Sequence, residues 1–185
     1  MAVSKVEATE LTNLLKKLRC VVDGYKDLPS NIFIDSERMF WFFERPLLSF
    51  IEVSSRFISK SLSDLQSDVF IKFSGMKDAV GSCFCINGDN IENDVLQING
   101  EFDSFFSGTV GYPVILFNEG LDWVAFESAN EEFGVVAVKA SAFQTDFSGV
   151  LEVDFISLEE FGLLSLSEST EGVIARAFVS SYGNR

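Results

Sequence analysis

The chain contains no histidine, three cysteines, three prolines, two tryptophans and three tyrosines among its 185 residues. Without histidine, the commonest general base and the commonest metal ligand are missing. Ser-His and Cys-His nucleophile schemes are excluded outright. Cys83 and Cys85, in "SCFC", would share one face of a strand. One further cysteine and no histidine cannot complete a zinc set with them, so they read as small buried hydrophobes. No segment carries the glycine spacing of a P-loop or a dinucleotide-binding turn: "GTVGYP" and "GSCFCING" fit neither. "NGDNIEND" (87–94) offers Asp89, Glu92 and Asp94 but lacks the glycine and the distal glutamate of a calcium loop. It reads as a polar connection. Among the 28 acids no spacing singles out a hydrolytic carboxylate pair. The expectation is a protein that is not an enzyme and holds no cofactor or metal.

Long apolar runs are also missing, and no stretch reaches the length of a bilayer span. "MAVSKVEATELTNLLKKLRC" is broken by Lys16, Lys17 and Arg19, so it does not read as an export signal. An odd number of cysteines beside it points to reduced thiols and a cytoplasmic setting.

Basic residues are scarce in one part of the chain only. Residues 1–77 hold ten acids and eleven bases; residues 78–175 hold eighteen acids and a single base, Lys139. Nucleic acid and anionic membrane are therefore disfavoured as direct partners, because phosphate contacts need lysine and arginine. A basic protein is favoured, since opposite potentials steer encounter. Solubility alone is the competing account of the same charge.

What is abundant is phenylalanine, twenty residues in all. The ring has no polar handle, so most of these are core. Leu11, Leu14, Leu15, Leu18 and Val22 recur at helical spacing after the possible capping pair Ser4 and Glu7, predicting a helix over 5–21. Leu47, Phe50, Ile51, Phe57, Ile58 and Leu62 predict a second helix over 46–62, opened by Pro46. "MFWFF" before it is a strand or a helical turn. From Asp68 the pattern becomes that of short strands: 69–73, 80–86, 91–98, 109–117, 122–128 and 133–139. Asn87-Gly88 and Asn99-Gly100 read as hairpin turns. Residues 150–156 offer a further strand, "SLEEFGLL" a short capped helix, and 172–180 a last strand or helix. The whole is one domain, 1–185, of α+β class: N-terminal helices packed on one antiparallel sheet, with the other face partly wet.

In "DWVAFESANEEFGVVAVK" (122–139) Trp123 and Ala125 should face one way and Val124 and Phe126 the other. Both sets are apolar, so the strand is an inner one, and its acids are pushed to strand ends and the loop. The expected partner-binding rim is Asp89, Glu92, Asp94, Glu101, Asp103, Glu119, Asp122, Glu127, Glu131 and Glu132. Tyr112, Trp123 and Phe126 are anchors if exposed.

"LFNEGLDWVAFESANEEFGVVAVK" (116–139) together with "SLEEFGLL" (157–164), in an acidic His-free α+β chain, resembles the immunity proteins of bacterial toxin systems, including contact-dependent growth inhibition. The resemblance implies a cognate inhibitor that binds one toxin, often a basic nuclease, and blocks its active site or substrate groove. An acidic nucleic-acid mimic, or a regulatory binding module, is the alternative.

Overall fold

The computed structural model describes residues 3–88, 90–105 and 112–183, and for 102–105 the backbone. Its centre is one antiparallel sheet in the order β1-β4-β3-β5-β6-β7-β2-β8. The strands are β1 Ser4–Lys5, β2 Arg38–Glu44, β3 Val69–Lys72, β4 Cys83–Ile86, β5 Val114–Asn118, β6 Trp123–Glu127, β7 Phe133–Lys139 and β8 Ile156–Ser157. The class is α+β, as expected.

Period-two alternation sorts the strand residues to two faces. Phe40, Phe42, Phe117, Val124, Phe126 and Val135 face one cluster, where α1 (Ala8–Leu18), α6 (Leu158–Leu164) and α7 (Thr170–Tyr182) pack through Leu15, Phe161 and Phe178. Trp41, Phe43, Leu116, Trp123, Ala125 and Val136 face the other. There α2 (Ile51–Leu65), α3 (Ile91–Phe105), α4 (Ala140–Phe143) and α5 (Phe147–Asp154) pack through Phe57, Val95, Ala142 and Leu151. β6 lies between β5 and β7 with the facing expected for Trp123 to Phe126. One face was expected to be partly wet, but among the described residues helices cover both sides, because the chain from Ile91 onward supplies five of them in addition to its strands.

The largest change is at 91–98, which forms the start of α3 and not a strand. Ile91, Val95 and Ile98 fall four and three apart, and the last two are fully buried. That helical stripe outweighs Asn99-Gly100, which lies inside the helix. Residues 147–154 are likewise helical, leaving the two-residue β8 beyond them. The first helix starts only at Ala8, because Ser4 and Lys5 pair with Cys85 and Phe84 at the sheet edge; its N-cap, Glu7, makes no side-chain capping bond. Pro46 precedes a 3-10 turn, Leu47–Ser49, and α2 follows it. The capping box of Ser157 and Glu160 is present as read.

Gly134 stands opposite Phe43 in the β2–β7 ladder. A Cβ there would overlap the Phe43 ring and come within 2.9 Å of the Phe126 carbonyl. The aromatic ring covers the glycine, and a side chain would have to evict it. Gly134→Ala is expected to lose about 1–3 kcal/mol in urea unfolding, as overpacking usually does. Phe43→Leu in that background should recover part of the loss.

Candidate functional site

Antiparallel strands place successive turns at opposite ends of a sheet. The acids of the β5–β6 turn and of the β6–β7 turn are therefore separated by the full strand length, and the expected single rim divides. Glu119 and Asp122 occupy one end. Glu119 pairs with Lys17 at 3.3 Å and Asp122 with Lys139 at 3.3 Å. Asp122 also builds its own turn: its Oδ2 accepts from Asn118 Nδ2 at 2.8 Å, and its N–H donates to Asn118 Oδ1 at 2.7 Å. Arg38, buried nearby, donates to the Leu121 carbonyl at 2.8 Å and pairs with Asp35 at 3.2 Å. This end carries both signs.

Glu92 and Asp94 stand in the first turn of α3 rather than at a hairpin end. Negative charge is favourable there against the helix dipole. Asp94 is buried, and burial raises its carboxyl above the ordinary range. Glu101, further along α3, pairs with Lys5 at 3.2 Å. Asp103 lies in the last turn of α3, with its side chain outside the described residues, as is all of Asp89. Lys5 and Lys17, from the electrically balanced first part of the chain, thus neutralise acids of the second.

The other end is different. Glu131 and Glu132 lie in the β6–β7 turn, where Arg45 arrives from the end of β2. The Arg45 guanidinium donates from Nε to the Glu131 carbonyl and from Nη2 to the Ala129 carbonyl at 2.9 Å. It lies 5.3 Å from the centre of the Tyr112 ring. Backbone oxygens, not carboxylates, hold it. Glu44, Arg45, Glu132, Phe133 and Glu171 line an open depression of about 440 Å3. Asp27 completes the group: it accepts from Ser128 Oγ at 2.9 Å and Asn130 Nδ2 at 3.4 Å. Burial, with Asp27 and then Glu132 as like charges, raises the Glu131 carboxyl against the pull of Arg45. Three carboxylates, Glu44, Glu132 and Glu171, line that depression with Arg45, and Glu131 and Asp27 adjoin it at the β6–β7 turn; Arg19, Lys26 and Lys77 line a separate depression with Pro113 and Phe126.

Three of these five carboxylates, Asp27, Glu44 and Glu171, have no signal in the sequence. Glu44 is placed by its pairing with Phe133, a contact between distant segments, and Glu171 by the first turn of α7. Glu127 is the reverse case. Its carboxyl is buried, 1% exposed, with Oε1 accepting from the Leu47 N–H at 2.8 Å. It is not a rim residue, because β6 is covered on both faces along its whole length. Trp123 and Phe126 are core for the same reason, while Tyr112 is half-buried.

The other buried base serves the scaffold. Lys72 Nζ donates to the carbonyls of Phe73 and Lys77 and to Ser82 Oγ at 2.7–3.1 Å, tying down the β3–β4 connection. Burial lowers its pKa to about 8. It also raises the thiols of Cys83 and Cys85 to about 12, keeping both protonated and unreactive at neutral pH. Among the described residues no group of three or more Cys, Asp and Glu is placed to hold a metal ion, and no helix is long and apolar enough to cross a membrane. No protein-family model, curated protein or solved structure matches this chain.

Proposed function

We propose that the chain is a non-catalytic acidic binding protein that neutralises a basic toxin domain, docking it at the end of the sheet where β2 and β7 meet. The observation that carries this is the depression lined by Glu44, Glu132 and Glu171, with Glu131 and Asp27 beside it at the β6–β7 turn. Arg45, the base that lines the depression with Glu44, Glu132 and Glu171, is held by main-chain carbonyls. Rim charges of this kind raise the rate of association, while apolar contacts set dissociation. Exposed Leu166 and Val173 flank Glu171 in the sequence and supply such contacts, in place of the buried Trp123 and Phe126. The toxin assignment rests on the resemblance of 116–139 and 157–164 to immunity proteins, and the cytoplasmic setting on the cysteine usage. Glu119, Asp122 and Glu101 have lysine partners and contribute little to the field.

Co-expression with the products of adjacent genes, scored by rescue of growth, identifies the partner. With that partner, Glu44→Lys combined with Glu132→Lys should slow association at least tenfold at low salt and change dissociation little. Both positions are exposed, so the fold should tolerate the change. An association rate indifferent to both the double reversal and salt would overturn the proposal.

A further inference from the structure

Beneath the acidic end, Leu48, Phe73, Tyr112, Val114, Asn99 and Glu127 are among the residues enclosing a cavity of about 420 Å3. Its walls are largely apolar. Asn99 is fixed to one of them, donating from Nδ2 to the Leu48 carbonyl at 2.6 Å. Glu127 is the only charged residue lining the cavity among the described residues. Its Oε1 is satisfied by the Leu47 N–H, but Oε2, shielded from bulk solvent, has no hydrogen-bond partner there. Buried carboxylate oxygens without a donor are rare in folded proteins and costly to keep. Arg45 is near enough to be felt by the carboxyl, yet its guanidinium is committed to the Ala129 and Glu131 carbonyls.

We propose that this cavity receives one apolar-stemmed cation, the arginine or lysine side chain of a basic partner, whose head group donates to Glu127 Oε2. The stem would lie against Leu48, Phe73 and Val114. Oε2 is covered, so the guest must part the lining side chains to reach it. The site adjoins the acidic depression through Arg45, which borders that depression and also overlies Tyr112. The source of the cation rests on the proposed partner; the chemistry of the pocket does not.

The groups facing Glu127 are Arg45 from the end of β2, Tyr112 ahead of β5 and the Leu47 N–H of the 3-10 turn. From α3 comes the neutral Asn99. Burial pushes the Glu127 carboxyl up to about 7. A cation binds the ionised form, so affinity should rise about tenfold from pH 6 to pH 8.

The test uses the full chain with N-acetyl-arginine amide, which carries the side chain on a peptide-like backbone, and butylguanidinium, which carries stem and head group without the backbone. Hexanoate is the control, and binding is followed by NMR shifts and calorimetry. Both cations should saturate one site, with the tenfold pH effect. Glu127→Gln should weaken them at least tenfold and abolish the pH effect. Ser49→Trp, an exposed change at the cavity mouth, should also weaken them and tests the site should the first variant fold poorly. Absence of saturation at pH 8, equal binding by Glu127→Gln, or saturation of the same site by hexanoate would overturn the proposal. Binding of butylguanidinium with exclusion of the arginine amide would overturn the partner side chain as its source. If both cations bind but no adjacent gene product is neutralised, the toxin partner falls and the pocket stands.

Discussion

Trp123→Ala is expected to remove about 3–5 kcal/mol of stability, a large part of the roughly 5–15 kcal/mol that holds a domain folded. The indole is fully buried at the middle of the sheet. It meets the Phe57 ring edge-on, centroids 4.5 Å apart, and stacks on Phe147 at 6.4 Å. One side chain thereby joins β6 to both α2 and α5. Its Nε1–H donates to Ser61 Oγ at 2.7 Å, and Ser61 is itself buried. Truncation leaves both a cavity and a hydroxyl without its donor. Trp123→Phe keeps most of the apolar contact and should lose only about 1–3 kcal/mol, mainly through that hydroxyl. Urea unfolding of the two variants separates the contributions. A loss below about 1 kcal/mol for Trp123→Ala would mean that the helical layer over this face is not held by the indole.

Glu127→Gln is expected to flatten a pH dependence that the native protein shows on its own. The folded carboxyl titrates near 7, against an ordinary value of 4.5. Its folded form therefore holds a proton that the unfolded chain releases between those values. The contribution to stability is fully present below about pH 4.5 and is lost as pH rises through 7. Other carboxylates act in the opposite direction: Asp35, held low chiefly by the Glu37 N–H, destabilises the fold when protonated. The informative quantity is the difference between the two proteins. Between pH 5 and pH 8 the native chain should lose about 2–3 kcal/mol relative to Glu127→Gln. In melting temperature the gap between them should widen by about 5–10 °C over that interval. Parallel pH profiles would show that the carboxyl is not buried as described, and would remove the basis for the cation pocket as well.

Trp123 and Glu127 also mark how far the sequence could be followed. β6 was legible down to the direction of each side chain, because a strand apolar on both faces must be internal. β3, β5, β7 and the first two helices were legible from their periods, whereas the seven-residue β2 was not, since "MFWFF" fits a strand and a helical turn equally. Residues 91–98 were not. Asn87-Gly88 and Asn99-Gly100 framed them as a hairpin arm, and the stripe of Ile91, Val95 and Ile98 was too short to compete until packing beneath α2 was known. The acidic site failed on geometry rather than on residue type. Glu131 and Glu132 stand in the β6–β7 turn as read, because a turn displays its acids wherever the strands go. Glu119 and Asp122 belong to the turn at the opposite end, a separation that the strand order implies but the charge count hides. Glu44 and Glu171 required the β2–β7 ladder and the position of α7, which are long-range pairings without a local signature.

That ladder has a consequence for how the chain is made. β2, with its run Met39 to Phe43, is paired by β7 on one side and by the two-residue β8 on the other. Arg38 meets Lys139, so roughly 100 residues must be synthesised before the strand finds its neighbour, about 5–20 s at the usual pace of translation. For that interval a ribosome-bound chain carries its most aromatic segment without the strands that pair it, covered only by neighbours near in sequence such as Phe33 and Phe57.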